Sequence, residues 1–375
     1  MIYLDYSATT PVDERVLESF NKATLDYPGN PNSIHALGVK SNELVNAATK
    51  QISEILGVLP SEIIYTSGSS ESNNTAIKGI CEKYQNRGKH IITTKYEHSS
   101  IYGPISYLQR HGFEVDFVET DSYGRVDIES LKSLLRDDTI LVSITSVNSE
   151  IGIINPIEEI GKLLKDYPKV FFHVDMTQSI GKYKIDLENV DLASASAHKI
   201  FGIKGIGLLI KKEKILLEPL IHGGKSTTVY RSGTPAVALI VSLAKALRLI
   251  NENMEEHYNY VSKLNKKLRD ELATIPNVYI NSNQYCSPYV LNISAVGVKP
   301  ETMLHALEAH DIYISTQTAC ASNISSSKAV EELTGSMERA TSSLRISMAY
   351  ITTEEEIDTF LKVFKKCFME LSSLR

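Results

Sequence analysis

From about residue 50 to residue 210 the chain alternates between two textures. Short runs rich in β-branched and aromatic residues are separated by stretches of helical length. The runs are Glu62-Ile63-Ile64-Tyr65-Thr66, His90-Ile91-Ile92-Thr93, Val115-Asp116-Phe117-Val118, Ile140-Leu141-Val142-Ser143-Ile144 and Val170-Phe171-Phe172-His173-Val174. Several are apolar at nearly every position, which suits strands covered on both faces by helices. This alternation predicts an α/β domain with a mainly parallel sheet. A long helical stretch is predicted after Pro235, running to about Ala273. Its middle, Asn251 to His257, is its most polar part and marks the expected domain boundary. Beyond it, strands near Val278–Ile280, Val290–Ile293 and Leu344–Ser347 alternate with helices near Glu301–His310 and Glu354–Leu371. The last helix opens on Thr353 with Glu356 in the capping-box position. The expected division is a large α/β domain over 13–253 and a smaller α+β domain built from 1–12 and 254–375.

Composition excludes several classes. The 375 residues are 42% hydrophobic and 22% charged, as in ordinary globular chains and unlike disordered, collagenous or coiled-coil ones. The net charge of −6 argues against a protein that wraps nucleic acid phosphates. The four cysteines, Cys81, Cys286, Cys320 and Cys367, contain no CxxC pair, so neither a disulfide framework nor a Cys-rich zinc site is expected. The N-terminus lacks a basic segment followed by an apolar run, and no window approaches a membrane span. A soluble cytoplasmic protein is expected.

Five groups of residues carry candidate chemistry. Asp175 follows the run Val170–Val174, and Lys199 follows Asp191-Leu192-Ala193-Ser194-Ala195-Ser196-Ala197-His198, read as a strand that Lys199 ends. Side chains at the carboxyl ends of parallel strands face the crevice where α/β proteins bind ligands. A Lys there can form a Schiff base with a carbonyl, and an Asp can pair with a protonated pyridine nitrogen, which together is what pyridoxal phosphate needs. A plain salt bridge explains the same pair. Ser67-Gly68-Ser69-Ser70-Glu71-Ser72-Asn73-Asn74 follows a strand and precedes a helical run, so its N–H groups could bind an anion. A simple N-cap is the alternative. His98 could stack on an aromatic cofactor and shuttle protons, or be structural. Cys320 lies in the small, polar, aperiodic stretch Tyr313–Ser327, which suits a nucleophile that must travel. Cys286 is also in a loop, so loop placement alone does not single out Cys320; Cys81 and Cys367 fall in helical patterns and read as inert core thiols. Arg345, in an otherwise apolar strand, needs a partner: a substrate carboxylate or a structural acid.

Taken together, these motifs resemble the cysteine desulfurases of the class V aminotransferase family, of pyridoxal phosphate fold type I. The resemblance spans essentially the whole chain. It rests on Ile2-Tyr3-Leu4-Asp5-Tyr6-Ser7-Ala8-Thr9-Thr10-Pro11, on Gly29-Asn30-Pro31 with Ser33 and His35, and on Thr66-Ser67-Gly68 through Glu71-Ser72. It continues in Val147-Asn148 with Glu150-Ile151-Gly152, His173-Val174-Asp175 with Gln178-Ser179, Ser196 with His198-Lys199, and Arg231-Ser232-Gly233-Thr234. The resemblance implies a seven-stranded, mainly parallel sheet and a homodimer. It implies that Lys199 holds pyridoxal 5'-phosphate and later moves the substrate α-proton. Asp175 would pair with the pyridine nitrogen, Gln178 with the ring hydroxyl, and His98 would stack on the ring. Ser69, Ser70, Ser196 and His198 would hold the phosphate, joined by Thr234 from the partner subunit. Asn148 and Arg345 would bind the substrate carboxylate. Cys320, in Ser315-Thr316-Gln317-Thr318-Ala319-Cys320, matches the family's cysteine motif of the long-loop group I type. It would attack the sulfur of L-cysteine, release alanine and keep a persulfide for a sulfur-acceptor protein, an iron–sulfur scaffold or a tRNA-thiolating enzyme.

The chain departs from the family pattern in places. His222-Gly223-Gly224-Lys225-Ser226-Thr227-Thr228-Val229-Tyr230 replaces the usual glycine-rich run. Met176 stands where Ala is common and is expected under or beside the cofactor ring. Gln317 replaces a Gly, Ser325–Val330 lacks a Pro-Ser pattern, and Ala349-Tyr350 replaces Gly-Arg. Two other readings stay open on the sequence. One is a class V lyase or aminotransferase that does not use Cys320, such as a selenocysteine or cystine lyase. The other is a weakly active scaffold that carries the cofactor and binds a sulfur-transfer partner.

Overall fold

The computed structural model describes residues 1–316 and 326–373. The strands, in chain order, are β1 (Ile2–Tyr3), β2 (Ile63–Thr66), β3 (His90–Thr93), β4 (Glu114–Phe117), β5 (Thr139–Thr145), β6 (Phe171–Asp175), β7 (Leu192–Ser196), β8 (Gly207–Lys211), β9 (Val278–Ile280), β10 (Val290–Ala295), β11 (Ile312–Tyr313) and β12 (Ser343–Ser347). Seven of them form the central sheet in the order β2-β8-β7-β6-β5-β3-β4. All neighbours are parallel except β8, which runs antiparallel to both β2 and β7. The fold is therefore the α/β class with a mainly parallel sheet that the alternation predicts.

Burial on both faces explains the near-continuous apolar runs. Alternate residues feed different cores: Ile63, Tyr65, Ile92, Val142 and Val174 face one. Ile64, Ile91, Leu141 and Leu209 face the other. On the first side the helices Glu14–Asp26 and Ala36–Leu56 pack on Val237–Glu252, and on the second Ser69–Tyr84 packs on Ser99–Gln109. Edge strand β4 is the exception, with no fully buried position.

A third core gathers β9, β10 and β12 with the helices Met254–Leu272, Pro300–Glu308 and Glu354–Ser372. The N-terminal segment joins it: β1 pairs with β11, and Leu4 is fully buried there. The long helix expected after Pro235 is two helices, Val237–Glu252 and Met254–Leu272, broken at Asn253. The break falls in the polar stretch that marks the expected boundary, where no apolar stripe holds one continuous axis. The final helix carries the complete capping box between Thr353 and Glu356. No helix among the described residues is long and apolar enough to cross a membrane.

Candidate active site

The carboxyl ends of β5 and β6, the turn after β7 and the start of the chain enclose a cavity of about 250 Å³. Its lining includes Ser7, Ala8, Ser69, Ser70, Tyr96, His98, Thr177, Gln178, His198 and Arg345, with Asp175 and Lys199. Seven separate segments thus meet at one place, the seventh being 145–149.

Asp175 is the last residue of β6, in register with Thr145 and Ser194 on either side. Its carboxylate accepts from the Asn73 amide at 2.8 Å and from the Thr177 N–H at 2.9 Å. Asn73 also donates to Ser100 Oγ at 2.9 Å. The helix Ser69–Tyr84 therefore aims Asp175, through a residue the sequence reading quoted but gave no role. The clue was there: Asn is a poor interior helix former and is kept where its amide meets another group.

Lys199 does not end a strand. β7 stops at Ser196, and Ala197–Lys199 form a single tight turn. That turn carries the amine off the sheet edge and into the cavity. There Nζ donates to the carbonyls of Ser7 and Ala8, the latter at 2.8 Å. The opening motif of the chain thus forms one wall of the site.

The turn Ser67–Ser70 lies against β8. A Cβ on Gly207 would come within 2.6 Å of Gly68 Cα, so this approach requires glycine. Ser69 and Ser70 begin the helix Ser69–Tyr84 and line the cavity, at the end where a helix's first N–H groups have no partner within it. Glu71 ties the turn down, accepting from the Ser67 N–H at 2.7 Å and from Arg231 Nε at 3.0 Å. Burial pushes the Glu71 carboxyl up, but the Arg231 and Ser67 hydrogen bonds outweigh it and hold it below its ordinary value.

His98 caps the helix Ser99–Gln109. Its Nδ1 accepts from the Ser100 N–H at 3.2 Å. The neutral ring therefore carries its proton on Nε2. Burial lowers its pKa, with Lys199 adding to the effect and Asp175 opposing it. His198 falls to about 4 through burial and the charges of Lys199 and Lys204. Both imidazoles are neutral at pH 7.

Gln178 donates from Nε2 to the Ser7 carbonyl at 3.0 Å and accepts at Oε1 from Lys182 at 3.1 Å. Arg345 is 2% exposed and pairs with Asp5 at 2.9 Å, while Nη1 donates to the Ser149 carbonyl at 3.1 Å. The structural acid the sequence left open is present. Yet Arg345 also lines the cavity, and its buried Nε–H has no partner among the described residues.

Other expected residues lie elsewhere. Asn148 does not line the cavity: its Oδ1 accepts from the N–H groups of Glu150 and Ile151, and its amide donates to the Tyr96 carbonyl. It shapes the loop whose neighbours Val147 and Ser149 do line it. Ser196 is buried at the end of β7, behind Gly68. Thr234 is exposed and outside the cavity of this chain. Met176 faces the main core and a separate cleft, while Thr177 takes the wall position, because alternate residues leaving a strand point to opposite sides. Cys286, expected to be as accessible as any loop thiol, is buried, and burial raises it to about 11. Cys81 and Cys367 are buried. Cys320 lies outside the described residues. Ser315, before it, exchanges both backbone hydrogen bonds with Arg345, at 3.1 and 2.7 Å. After it, Ser327 caps the helix Lys328–Thr334 by accepting from the Val330 N–H.

The donor set suits pyridoxal phosphate. A lysine amine, a carboxylate held by two donors, a neutral imidazole and a helix N-terminus with two serines share one cavity of cofactor size. Among the described residues no group of His, Cys, Asp or Glu could hold a metal ion.

Comparison with known proteins agrees. The model of the family "Aminotransferase class-V" matches residues 2–360. The chain is 42% identical to the cysteine desulfurase IscS of Glaesserella parasuis, covering 100% of this chain and 94% of that one. It is 41% identical to a NifS/IcsS protein homolog of Lactobacillus delbrueckii subsp. bulgaricus, covering 100% and 99%. Among solved structures, a NifS-like protein superposes with a TM-score of 0.93 at 36% identity, over 98% of this chain and 99% of that one. The protein SspA, solved in complex with cysteine, superposes with a TM-score of 0.82 at 30% identity, over 94% and 100%. Fold, cavity and full-length relatives converge: the chain belongs to the class V aminotransferase family, among its pyridoxal phosphate-dependent cysteine desulfurases of the IscS and NifS kind.

Proposed function

We propose that the protein takes sulfur from L-cysteine, releases L-alanine and carries the sulfur as a persulfide on Cys320. The observation that carries this reading is the convergence of Lys199, Asp175, His98 and Arg345 on one cavity. When bound there, pyridoxal phosphate supplies an electron sink for the substrate α-carbon.

The chain's own residues do the rest. The Lys199 amine anchors the cofactor carbonyl and, once displaced by substrate, moves the α-proton. Asp175, fixed by Asn73 and Thr177, sets a negative charge opposite the pyridine nitrogen. Gln178 offers a donor to the ring hydroxyl. Ser69 and Ser70 place helix N–H groups at the phosphate, with His198 beside them and Ser196 buttressing the turn. His98, its proton on Nε2, can give that proton within the site. Arg345 keeps an unused Nε–H for the substrate carboxylate. Asn148 shapes this region through its backbone hydrogen bonds and does not itself reach the carboxylate.

The Cys320 thiolate then attacks the substrate sulfur. The carbon–sulfur bond breaks, its electron pair stays with the substrate carbon, and a proton completes alanine. Cysteine plus a thiol gives alanine plus a persulfide, with no outside oxidant. Reach supports this role: Ser315 is held to Arg345, and five extended residues span at most about 18 Å. The exposed Thr234, on a segment tied by Arg231 to the phosphate turn, fits a contact to the partner subunit's cofactor in a homodimer. The acceptor is a sulfur-receiving protein, an iron–sulfur scaffold or a tRNA-thiolating enzyme, and the setting is the cytoplasm.

Intact mass after adding L-cysteine without reductant tests the reading. One added sulfur atom, mapped to Cys320 and lost in Cys320→Ala while that variant keeps its cofactor, is expected. Alanine release undiminished in Cys320→Ala would instead make the protein a lyase that bypasses the thiol.

A further inference from the structure

Lys182 takes no part in the mechanism above, yet it touches Gln178 of the cavity wall. It follows Gly181 in the turn after Gln178-Ser179-Ile180. Its amine donates to Gln178 Oε1 at 3.1 Å and lies 5.5 Å from the centre of the Tyr289 ring. Among the described residues no carboxylate comes within salt-bridge distance of it. The charges that face it are Lys199, from the turn after β7, and Arg345, from β12, itself paired with Asp5. Among the described residues the phenol of Tyr289 also faces it, and Tyr183 adjoins it in sequence. A lysine so placed is costly: burial, then the charges of Lys199 and Arg345, lower its pKa to about 7. Surface solubility does not account for such a residue.

Its polar side-chain contact among the described residues is informative. A side-chain amide can present either its oxygen or its nitrogen to a neighbour. While protonated, the Lys182 amine only donates, so below its pKa it admits only Oε1. The Gln178 nitrogen is thereby turned the other way, where one N–H meets the Ser7 carbonyl at 3.0 Å. The second N–H remains for the cavity that Gln178 lines.

We propose that Lys182 is a positioning residue that locks the Gln178 amide with its nitrogen toward the cavity, and so supplies the donor that holds the cofactor's ring oxygen in its anionic form. With Lys182 removed, only the Ser7 carbonyl still selects that orientation, and the amide turns over more readily to present oxygen to oxygen. This inference rests on the placement of Gln178 at the ring hydroxyl and does not involve Cys320.

The test uses full-length Lys182→Met, Lys182→Arg, Gln178→Ala and the double variant. Two quantities are read: the pH midpoint of the bound cofactor's visible absorbance, and the dissociation constant of pyridoxal phosphate from the apoprotein. Lys182→Met is expected to raise the midpoint by about one pH unit, a tenfold change in proton affinity, and to weaken cofactor binding about tenfold. Lys182→Arg, which also only donates, is expected to recover most of both. In the Gln178→Ala background Lys182→Met should shift the midpoint little further, since it acts through that amide. A Lys182→Met protein with wild-type midpoint and affinity, changed only in melting temperature, would overturn the proposal. A full extra shift in the Gln178→Ala background would overturn it too, leaving only a direct effect of charge. Should Lys182→Met not fold, Lys182→Gln replaces it; its amide tolerates either face of Gln178, so a smaller rise is expected and no rise sinks the idea. If Gln178→Ala alone leaves the midpoint unchanged, the placement of Gln178 has failed rather than the role of Lys182.

Discussion

Asp175 serves a cationic ring only while its carboxylate is held in one orientation. Asn73 and Thr177 hold it, and of the two only Asn73 can be removed by substitution. A hydrogen bond to a charged group is worth about 1.5–3 kcal/mol. Asn73→Ala is therefore expected to weaken pyridoxal phosphate binding by about ten- to a hundredfold. Titration of the apoprotein with cofactor checks it, and an unchanged affinity would show that Thr177 suffices. At this scale the sequence was most legible where chemistry selects the residue type. Lys199, Asp175, His98 and Arg345 were singled out as chemical types before any contact was known, and the structure brings all four to one cavity. It was least legible where a side chain faces backbone. Asn148 carries an amide suited to a carboxylate, but three backbone groups occupy it, two of them local and one at Tyr96, and nothing in its type announces that. Lys182 was invisible for the same reason: an exposed lysine and a half-buried one read alike.

Elements were legible in existence and type, less so in their ends. The two-faced burial of the central strands leaves its signature in every apolar run, and the capping box at Thr353 is present in full. That box predicts its own measurement. Thr353→Ala removes the acceptor for the Glu356 N–H at 3.1 Å and should cost about 1 kcal/mol of stability in denaturant unfolding. Because the box is exposed and remote from the cavity, cofactor binding should be unchanged. Two element readings went wrong for one reason. Periodicity reports which face is buried, not where a helix axis turns or a strand stops. The polar interval at Asn253, which the pattern places within one helix, is a break. The strand reading that ran to Lys199 missed the turn Ala197–Lys199, yet that turn is what lifts the amine into the cavity.

The whole molecule sets the protonation of groups that no local pattern marks. Glu97 is buried beside the site, accepting from the Thr145 N–H at 2.9 Å and from Thr94 at 2.8 Å. Burial raises it to about 8 from an ordinary 4.5, with Asp175 adding to the rise. Between those values the native protein binds a proton that the unfolded chain has released, so stability falls as pH rises from 4.5 to 8. His173 and His198 act oppositely. Burial drops each from 6.5 to about 4, so stability falls as pH drops from 6.5 to 4. Lys182 opposes Glu97 above pH 7: burial lowers it from 10.5 to about 7, so stability rises as pH climbs from 7 to 10.5. Melting temperature should thus climb from pH 4.5 to 6.5, where the two histidines outweigh Glu97. In Glu97→Gln the slope between pH 4.5 and 8 should become more positive; an unchanged slope would rule out Glu97 as a contributor.

Sequence alone determined the fold class, the family and the chemical types at the site, because burial on two faces, capping and cofactor chemistry each demand particular residues at particular spacings. Tertiary structure alone decided which of those residues meet. It set Met176 in the core and Thr177 on the wall, closed Cys286 off from solvent, and made Ser7 and Ala8 partners of Lys199 across 192 and 191 positions of chain. Contacts of that range depend on where whole elements pack, and no window of sequence contains them.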